Sequence, residues 1–431
     1  MIELDLLAPA ADADESTPWS AASRRRILLF LAFALVLLTM TGAAAPAEPG
    51  LVRVRTATLV NSSTYRILGD TLYVAEVLPD GNRITAYPLA ERPPRWSTGI
   101  DVLAGNAVIE EVAGMVVVGM FQPGVTGDHV AALDRRTGVL RWHSSLNLVA
   151  VDRVRSRLVL TGYPTSSVGS GPPPADVVAV DARTGMRVWT YRREAGCQGD
   201  LPDQVTDRRT GLAVLCSDGQ LLLLDLDTGQ VRARAPTGAT GQSGARVTAL
   251  SDRVLVSLPA AGRSVLVSYE LDRLQPTWTR MVELGGFFVS ACGPRICLGS
   301  SGAALALEPS TGLVRWRVGP VGFATPLVDR YILVAPARLG TVELVDVGTG
   351  KVVMNLAEWT TESAPAGPPM FFRADGATGR TWVARLSRRP VGVRVLGYVP
   401  NARPETCESS VGYLVCRTVR DTVVVWRYAV D

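Results

Sequence analysis

Beyond residue 46 the apolar positions of this chain fall in short runs closed by turn residues, and no long amphipathic helical period interrupts them. Arg157 to Leu160, Val177 to Asp181, Leu212 to Cys216, Arg295 to Leu298 and Gly412 to Cys416 are runs of strand length with strand composition. Many of these runs lead into one recurring turn. Ala132-Leu133-Asp134-Arg135-Arg136-Thr137-Gly138-Val139-Leu140-Arg141-Trp142 reads A-x-D-x-x-T-G-x-x-x-W. It returns as Asp181, Gly185 and Trp189, as Asp225 and Gly229, as Glu308, Gly312 and Trp316, and as Asp346 and Gly350. Tyr87 to Trp96 and Tyr269 to Trp278 keep the closing Trp and lose the Thr-Gly.

Each unit thus predicts an apolar strand, a second apolar strand, a tight turn and a strand that ends in Trp. The Gly supplies the positive φ that the hairpin needs, and Asp and Thr can cap the turn's own N–H groups. The Trp belongs in the groove between neighbouring sheets, where it buries a large area and keeps one N–H to satisfy. A spacing of roughly 40 to 47 residues is the period of a propeller or solenoid. Candidate units centre on 60–96, 105–142, 150–189, 203–233, 246–278, 287–316, 323–354, 370–396 and 406–428, and the eighth lacks the phrase. The expected fold is therefore an all-β propeller of four-stranded blades, with eight blades as the working number and seven or nine as alternatives. The last unit stops one strand short, and Leu51 to Ala57 is predicted to supply that strand and close the ring.

These repeats resemble those of pyrroloquinoline-quinone (PQQ) dehydrogenase propellers. They also resemble the related non-enzymatic propeller lipoprotein of the bacterial outer-membrane β-barrel assembly machinery. The resemblance covers most of residues 60–431 and rests on Asp, Thr, Gly and Trp at fixed offsets, which are structural residues. It implies either quinone chemistry with Ca²⁺ on the propeller axis or protein–protein contact at the envelope. For quinone chemistry the departures are plain: no two cysteines are adjacent, and no Glu, Asn and Asp trio maps onto the matching region. No Cys stands directly after the N-terminal apolar run, so the lipobox expected of the lipoprotein is missing from it.

That run changes the picture of location. Residues 1–26 read as a short cytoplasmic tail ending in Arg24-Arg25-Arg26, and 27–45 as a transmembrane signal anchor. Residues 46–431 then form the extracytoplasmic propeller of a single-pass cell-membrane protein. Cleavage near Ala45 is the alternative. The six cysteines all lie beyond this segment. Their positions relative to the strands predict three local disulfides, Cys197 with Cys216, Cys292 with Cys297 and Cys407 with Cys416, which suits an oxidising compartment.

Composition adds exclusions. Lys351 is the only lysine among 44 basic residues, which reads as codon bias, and no basic stripe interleaved with aromatics points to nucleic acid. His129 and His143, the two histidines, are expected at surfaces or turns and not on a metal. Glu110-Glu111 should point to opposite faces of a strand and form a solvated edge. Gly238 to Gly244 lacks the Gly-Lys-Ser/Thr ending of a phosphate loop and reads as an inter-blade linker. The Gly/Pro/Ser insertion 163–174, and breaks at 360–369 and 400–405, are the places for partner-binding loops.

No catalytic set, cofactor site or metal site is expected. The reading is a non-enzymatic scaffold or ligand sensor with an envelope or membrane protein as partner. A PQQ- and Ca²⁺-dependent oxidoreductase and a cell-wall carbohydrate binder are the rivals. The off-pattern Trp359 and Trp382 are the candidate aromatics for carbohydrate.

Overall fold

The computed structural model describes residues 50–431 except 59–62, 103–106, 120–128, 162–175, 193–197, 201–210, 239–244, 337–341, 362–368 and several stretches of one or two residues. The expected membrane span at 27–45 and the insertion at 163–174 lie outside the described residues. Among the described residues no helix is long and apolar enough to cross a membrane.

The described strands form nine four-stranded antiparallel sheets, one more than the working number. Blades 1 to 8 span 64–100, 108–144, 147–191, 198–236, 246–282, 288–318, 321–356 and 360–400. Blade 9 joins three strands within 408–428 to Leu51–Thr58. Within blades 1 to 8 the strands run a to d in chain order, and in blade 9 the N-terminal strand takes the d place; a strands of neighbouring blades meet around the centre. The closing strand pairs antiparallel with Thr422–Tyr428, from Leu51 opposite Tyr428 to Thr58 opposite Thr422. The ring is therefore closed by the N-terminal strand, as its pattern predicts.

Blade 8 explains the difference in count. Its phrase is present but displaced by one hairpin. Asp375, Thr378 and Gly379 form the turn between Met370–Asp375 and Arg380–Arg388, the b and c strands, and Asp375 accepts from Ala377 and Thr378 N–H. In blades 2 to 4, 6 and 7 the turn joins c to d.

Antiparallel alternation gives the ring two faces. The a–b and c–d turns share one, here called the turn face; the b–c and d–a connections share the other, the loop face. Strand b is largely apolar, and wholly so in Met115–Gly119 and Gly211–Leu215, because a sheet covers it on both sides. Strand d is mostly exposed, so it alternates less and carries polar residues, as in Leu140–Ser144.

The phrase acts between blades. In five junctions the Trp of one blade docks on the turn of the next. The Trp96 indole donates to the Arg135 carbonyl at 2.9 Å, and Trp142 to Ala182 at 3.0 Å. Trp189 donates to Leu226 at 2.8 Å, Trp278 to Pro309 at 2.7 Å and Trp316 to Val347 at 2.7 Å. The acceptor is always the residue after the turn acid. A Cβ at Gly138 would lie 2.4 Å from Trp96, and one at Gly185 2.7 Å from Trp142. The glycine is therefore required twice, by its positive φ (+70° at Gly138) and by the indole lying on it. A register shift between c and d, such as Ala132/Leu133 and Ala306/Leu307, recurs just beyond the turn in blades 2 to 7. The d strand runs two residues past Trp142 and does not end on it.

Two disulfides are formed among the described residues. Cys292–Cys297 bridges strands a and b of blade 6, and Cys407–Cys416 bridges the start of blade 9 to its b strand. Cys216 is also disulfide-bonded; Cys197, its expected partner, lies outside the described residues.

The double requirement at the turn can be separated. Gly262 has φ +79° with nothing within 4 Å of where a Cβ would stand, whereas Gly138 has both the φ and the indole. Gly262→Ala should cost about 1 kcal/mol through backbone strain alone. Gly138→Ala should lower the melting temperature clearly further, by the equivalent of about 3 kcal/mol, because the Trp96 ring must also move. Equal melting temperatures for the two variants in a thermal scan would remove the docking contact from the account.

Candidate functional site

The repeated carboxylates are the acids most easily mistaken for catalytic ones, and their geometry settles their work. One oxygen of Asp134 accepts from Arg136 N–H at 3.1 Å, Thr137 N–H at 2.9 Å and the Thr137 hydroxyl at 2.9 Å. The other pairs with Arg141 at 3.1 Å. The Thr137 N–H, the Arg141 guanidinium and the Thr137 hydroxyl bring the carboxyl down to about 2. Asp181, Asp225 and Asp346 hold Thr184, Thr228 and Thr349 in the same way. Burial opposes ionisation at these three, yet the hydrogen bonds they accept still bring each below the usual carboxylate range. Glu308 departs from the expected capping role: its longer side chain turns to Arg315 at 2.9 Å and to Arg295, which hold its pKa down.

The junction of blades 4 and 5 breaks the docking rule. Ala233 stands in the d strand of blade 4 where the phrase would place Trp, and Leu274 stands in the blade 5 turn where it would place Gly. Leu274 takes φ +53° and is 2% exposed, packed with Ala235, Leu215 and Leu223, with Ala233 against the same cluster. Large and small have changed sides, so the turn residue fills the groove. Leucine is smaller than indole. On the turn-face edge of blade 5 lies a cleft of about 540 Å³ lined by Asp252, Arg253, Tyr269, Glu270, Asp272 and Thr277, among others. The Tyr269 hydroxyl donates to the Pro236 carbonyl of blade 4 at 3.3 Å, and Arg253 donates to the Pro309 carbonyl of blade 6. The cleft is half-open with acids on its rim. Among the described residues no three His, Cys, Asp or Glu side chains gather as a metal would need.

The seam where the ring closes uses other chemistry. Arg55 on the closing strand lies over the Tyr87 ring at 4.9 Å and donates to the Pro88 carbonyl at 3.5 Å, replacing the indole. On the inner strands Arg66 of blade 1 faces Glu408 of blade 9 at 3.6 Å, and the Tyr65 hydroxyl donates to the Thr406 carbonyl. Burial raises the Glu408 carboxyl, with Arg66 opposing.

Other sequence expectations meet corrections. His129 is buried, not at the surface, at the start of strand c. Glu110 and Glu111 do face opposite ways, but neither is a solvated edge. Glu110 pairs with Arg153 of blade 3, while Glu111 accepts from the Tyr73 hydroxyl at 2.7 Å and pairs with Arg135 at 3.1 Å. Trp359 is half-buried with Arg373 over its ring, and Trp382 is half-buried with Tyr398 edge-on to it. The segment from Gly238 lies between the strands ending at Pro236 and starting at Arg246, the place of an inter-blade linker. Sequence reasoning missed the Ala233/Leu274 exchange; its signal was the simultaneous loss of Trp and Gly from adjacent units.

Nine blades, most of them joined by a turn that receives a neighbour's Trp, define a β-propeller of PQQ-like repeats. Residues 127–285 match the family described as outer membrane protein assembly factor BamB. BamB from Moraxella catarrhalis is similar at 14% identity over 88% of this chain and 98% of its own, with a TM-score of 0.46. Quinohemoprotein alcohol dehydrogenase ADHIIG from Pseudomonas putida HK5 is similar at 12% identity over 89% and 77%, with a TM-score of 0.44. Saccharomyces cerevisiae Sqt1 is similar at 11% identity over 81% and 98%, with a TM-score of 0.47. No curated protein sequence matches the chain.

Two measurements test this geometry. Leu274→Gly should destabilise by about 2–4 kcal/mol, and Ala233→Trp by about 1–3 kcal/mol, because one empties and the other overfills the same groove. The double variant recreates the docking pair and should be more stable than the sum of the two losses by at least about 1 kcal/mol in urea unfolding. Additive losses would mean that the two side chains do not share a groove. The lowered turn carboxylates also set an acid limit. Their stabilisation is complete above their ordinary pKa and disappears as pH falls through the folded one, about 2 for Asp134. Melting temperature should hold down to about pH 5 and fall steadily between about pH 4 and 2. Asp134→Asn, which takes up no proton, should show a shallower fall; an unchanged slope would contradict the capping assignment.

Proposed function

We propose that this chain is a non-enzymatic β-propeller, anchored in the cell membrane by residues 27–45, whose extracytoplasmic ring scaffolds envelope proteins or senses an extracellular ligand. The observation that carries the reading is the use made of the repeated acids. Asp134, Asp181, Asp225 and Asp346 cap their own turns, and Glu308 is held between two arginines. The residues that recur most regularly therefore hold the ring together and leave no repeated acid poised toward a substrate. The match of residues 127–285 to a family described as an assembly factor supports a role in protein contact. The disulfides at Cys292–Cys297 and Cys407–Cys416 support an oxidising location. A ring braced across its blade junctions presents its loops on a rigid frame, which suits recognition.

The test is a titration of the oxidised full-length protein with pyrroloquinoline quinone and Ca²⁺, followed by indole fluorescence and by dye reduction with alcohols. The reading predicts no Ca²⁺-dependent quenching and no turnover, together with discrete adducts to one or a few envelope proteins on cross-linking in cells. Tight Ca²⁺-dependent quenching with dye reduction would overturn it in favour of an oxidoreductase.

A further inference from the structure

The outer strand of blade 8 differs from the other outer strands in length and in charge. It runs ten residues, Val391–Pro400, where strand d of the other blades has five to eight. It is the last strand of its sheet, so one backbone edge has no partner strand within the blade. A Cβ at Gly50 would lie 2.3 Å from the Leu396 carbonyl oxygen, so the chain entering the closing strand occupies that point. Val391 to Val395 is the length clear of it, toward the turn face.

The two faces of this length are chemically opposite. Val393 packs with Leu386 and with Met354 of blade 7, which stands opposite Leu344 as Trp142 stands opposite Ala132. Side chains two residues apart share a face of a strand. Val391 and Val395 therefore stand on the side of Val393, and both are exposed, Val395 at 51%. Arg394 belongs to the other face, where it lies directly across from Arg385 of strand c. Like charges at one cross-strand position disfavour each other and favour an anionic neighbour. The surroundings reinforce them: residues 370–400 carry six arginines and one acid, Asp375, which is held by Thr378 in its own turn.

An open edge with valines on one face and a guanidinium on the other fits a strand of the complementary pattern. When an extended segment pairs with such an edge, its main chain supplies the hydrogen bonds and its side chains alternate between the two faces. A second copy of this chain would set six arginines against six, which charge opposes. Nucleic acid offers phosphate to the cations and nothing to the valines. We propose that Val391 to Val395 is a docking edge for an extended acidic segment of a partner protein, in which apolar residues alternate with Asp or Glu, added to blade 8 as a fifth strand. The inference gives the partner's chemistry within the scaffold reading above and rests on it.

The full-length protein is titrated with four probes: a capped peptide of alternating Val and Glu, the same residues arranged in two blocks, the alternating peptide with Lys for Glu, and a single-stranded oligodeoxynucleotide. Amide exchange is followed by mass spectrometry in each case. Only the alternating acidic peptide should bind, and exchange over 391–395 should slow several-fold while Leu140–Ser144, the outer strand of blade 2, exchanges as before. Arg394→Glu should abolish that binding and admit the lysine peptide, and Arg394→Gln should weaken it part-way. Equal binding of the block peptide or of the oligonucleotide would reduce the edge to charge alone and overturn the added strand. Protection outside blade 8, or no binding of the alternating peptide, would overturn the docking edge itself. Quinone-dependent dye reduction would strike the scaffold reading instead, whatever the peptides do.

Discussion

The rest of this structure depends on one contact, an indole laid on a turn across a blade boundary, most often on its glycine. Neither partner would hold its place alone. The glycine needs the capped turn to keep its positive φ, and the indole needs the carbonyl after the turn acid to satisfy its N–H. The capping Asp therefore acts at a distance: by fixing its own turn it builds the floor on which the neighbouring blade's Trp sits. Where the phrase is complete, a blade supplies a turn to one neighbour and an indole to the other. A sheet that cannot bury both faces by itself is held on both sides.

The contact also shows how a ring tolerates irregularity. Where Trp is lost from blade 4, the turn glycine of blade 5 is lost with it, and Leu274 fills the groove from the opposite side. At the seam, where two ends of the chain must meet, Arg55 over Tyr87 substitutes a cation for an indole and still donates to a carbonyl of the next blade. The boundary keeps its physics, a large flat or branched group plus a donor or a filled void, although the residues change.

Much of this could be read in the sequence because the interactions are local and repeated. Asp134 capping Thr137 lies within four residues, and a spacing that recurs announces itself. The closing strand was legible because blade 9 visibly lacked its fourth member. The count of blades failed at blade 8 because Asp375, Thr378 and Gly379 form the same turn in a different hairpin, and a one-dimensional phrase does not say which two strands it joins. The Glu110–Glu111 pair was misplaced for a related reason. Its partners, such as Arg153 and Tyr73, come from neighbouring blades, and such partners have no fixed offset in sequence.

Function was less legible than fold because the residues that repeat are those that build the ring. Whatever binds the ring does so through residues that differ from blade to blade. The central claim is the docking contact, and indole N–H exchange reads it most directly. Of nine tryptophans, Trp96, Trp142, Trp189, Trp278 and Trp316 donate to turn carbonyls. In an indole-¹⁵N spectrum transferred to heavy water these five N–H signals should persist until the propeller unfolds, and Gly138→Ala should release the Trp96 signal selectively. Loss of all five within minutes from a folded protein would contradict the account.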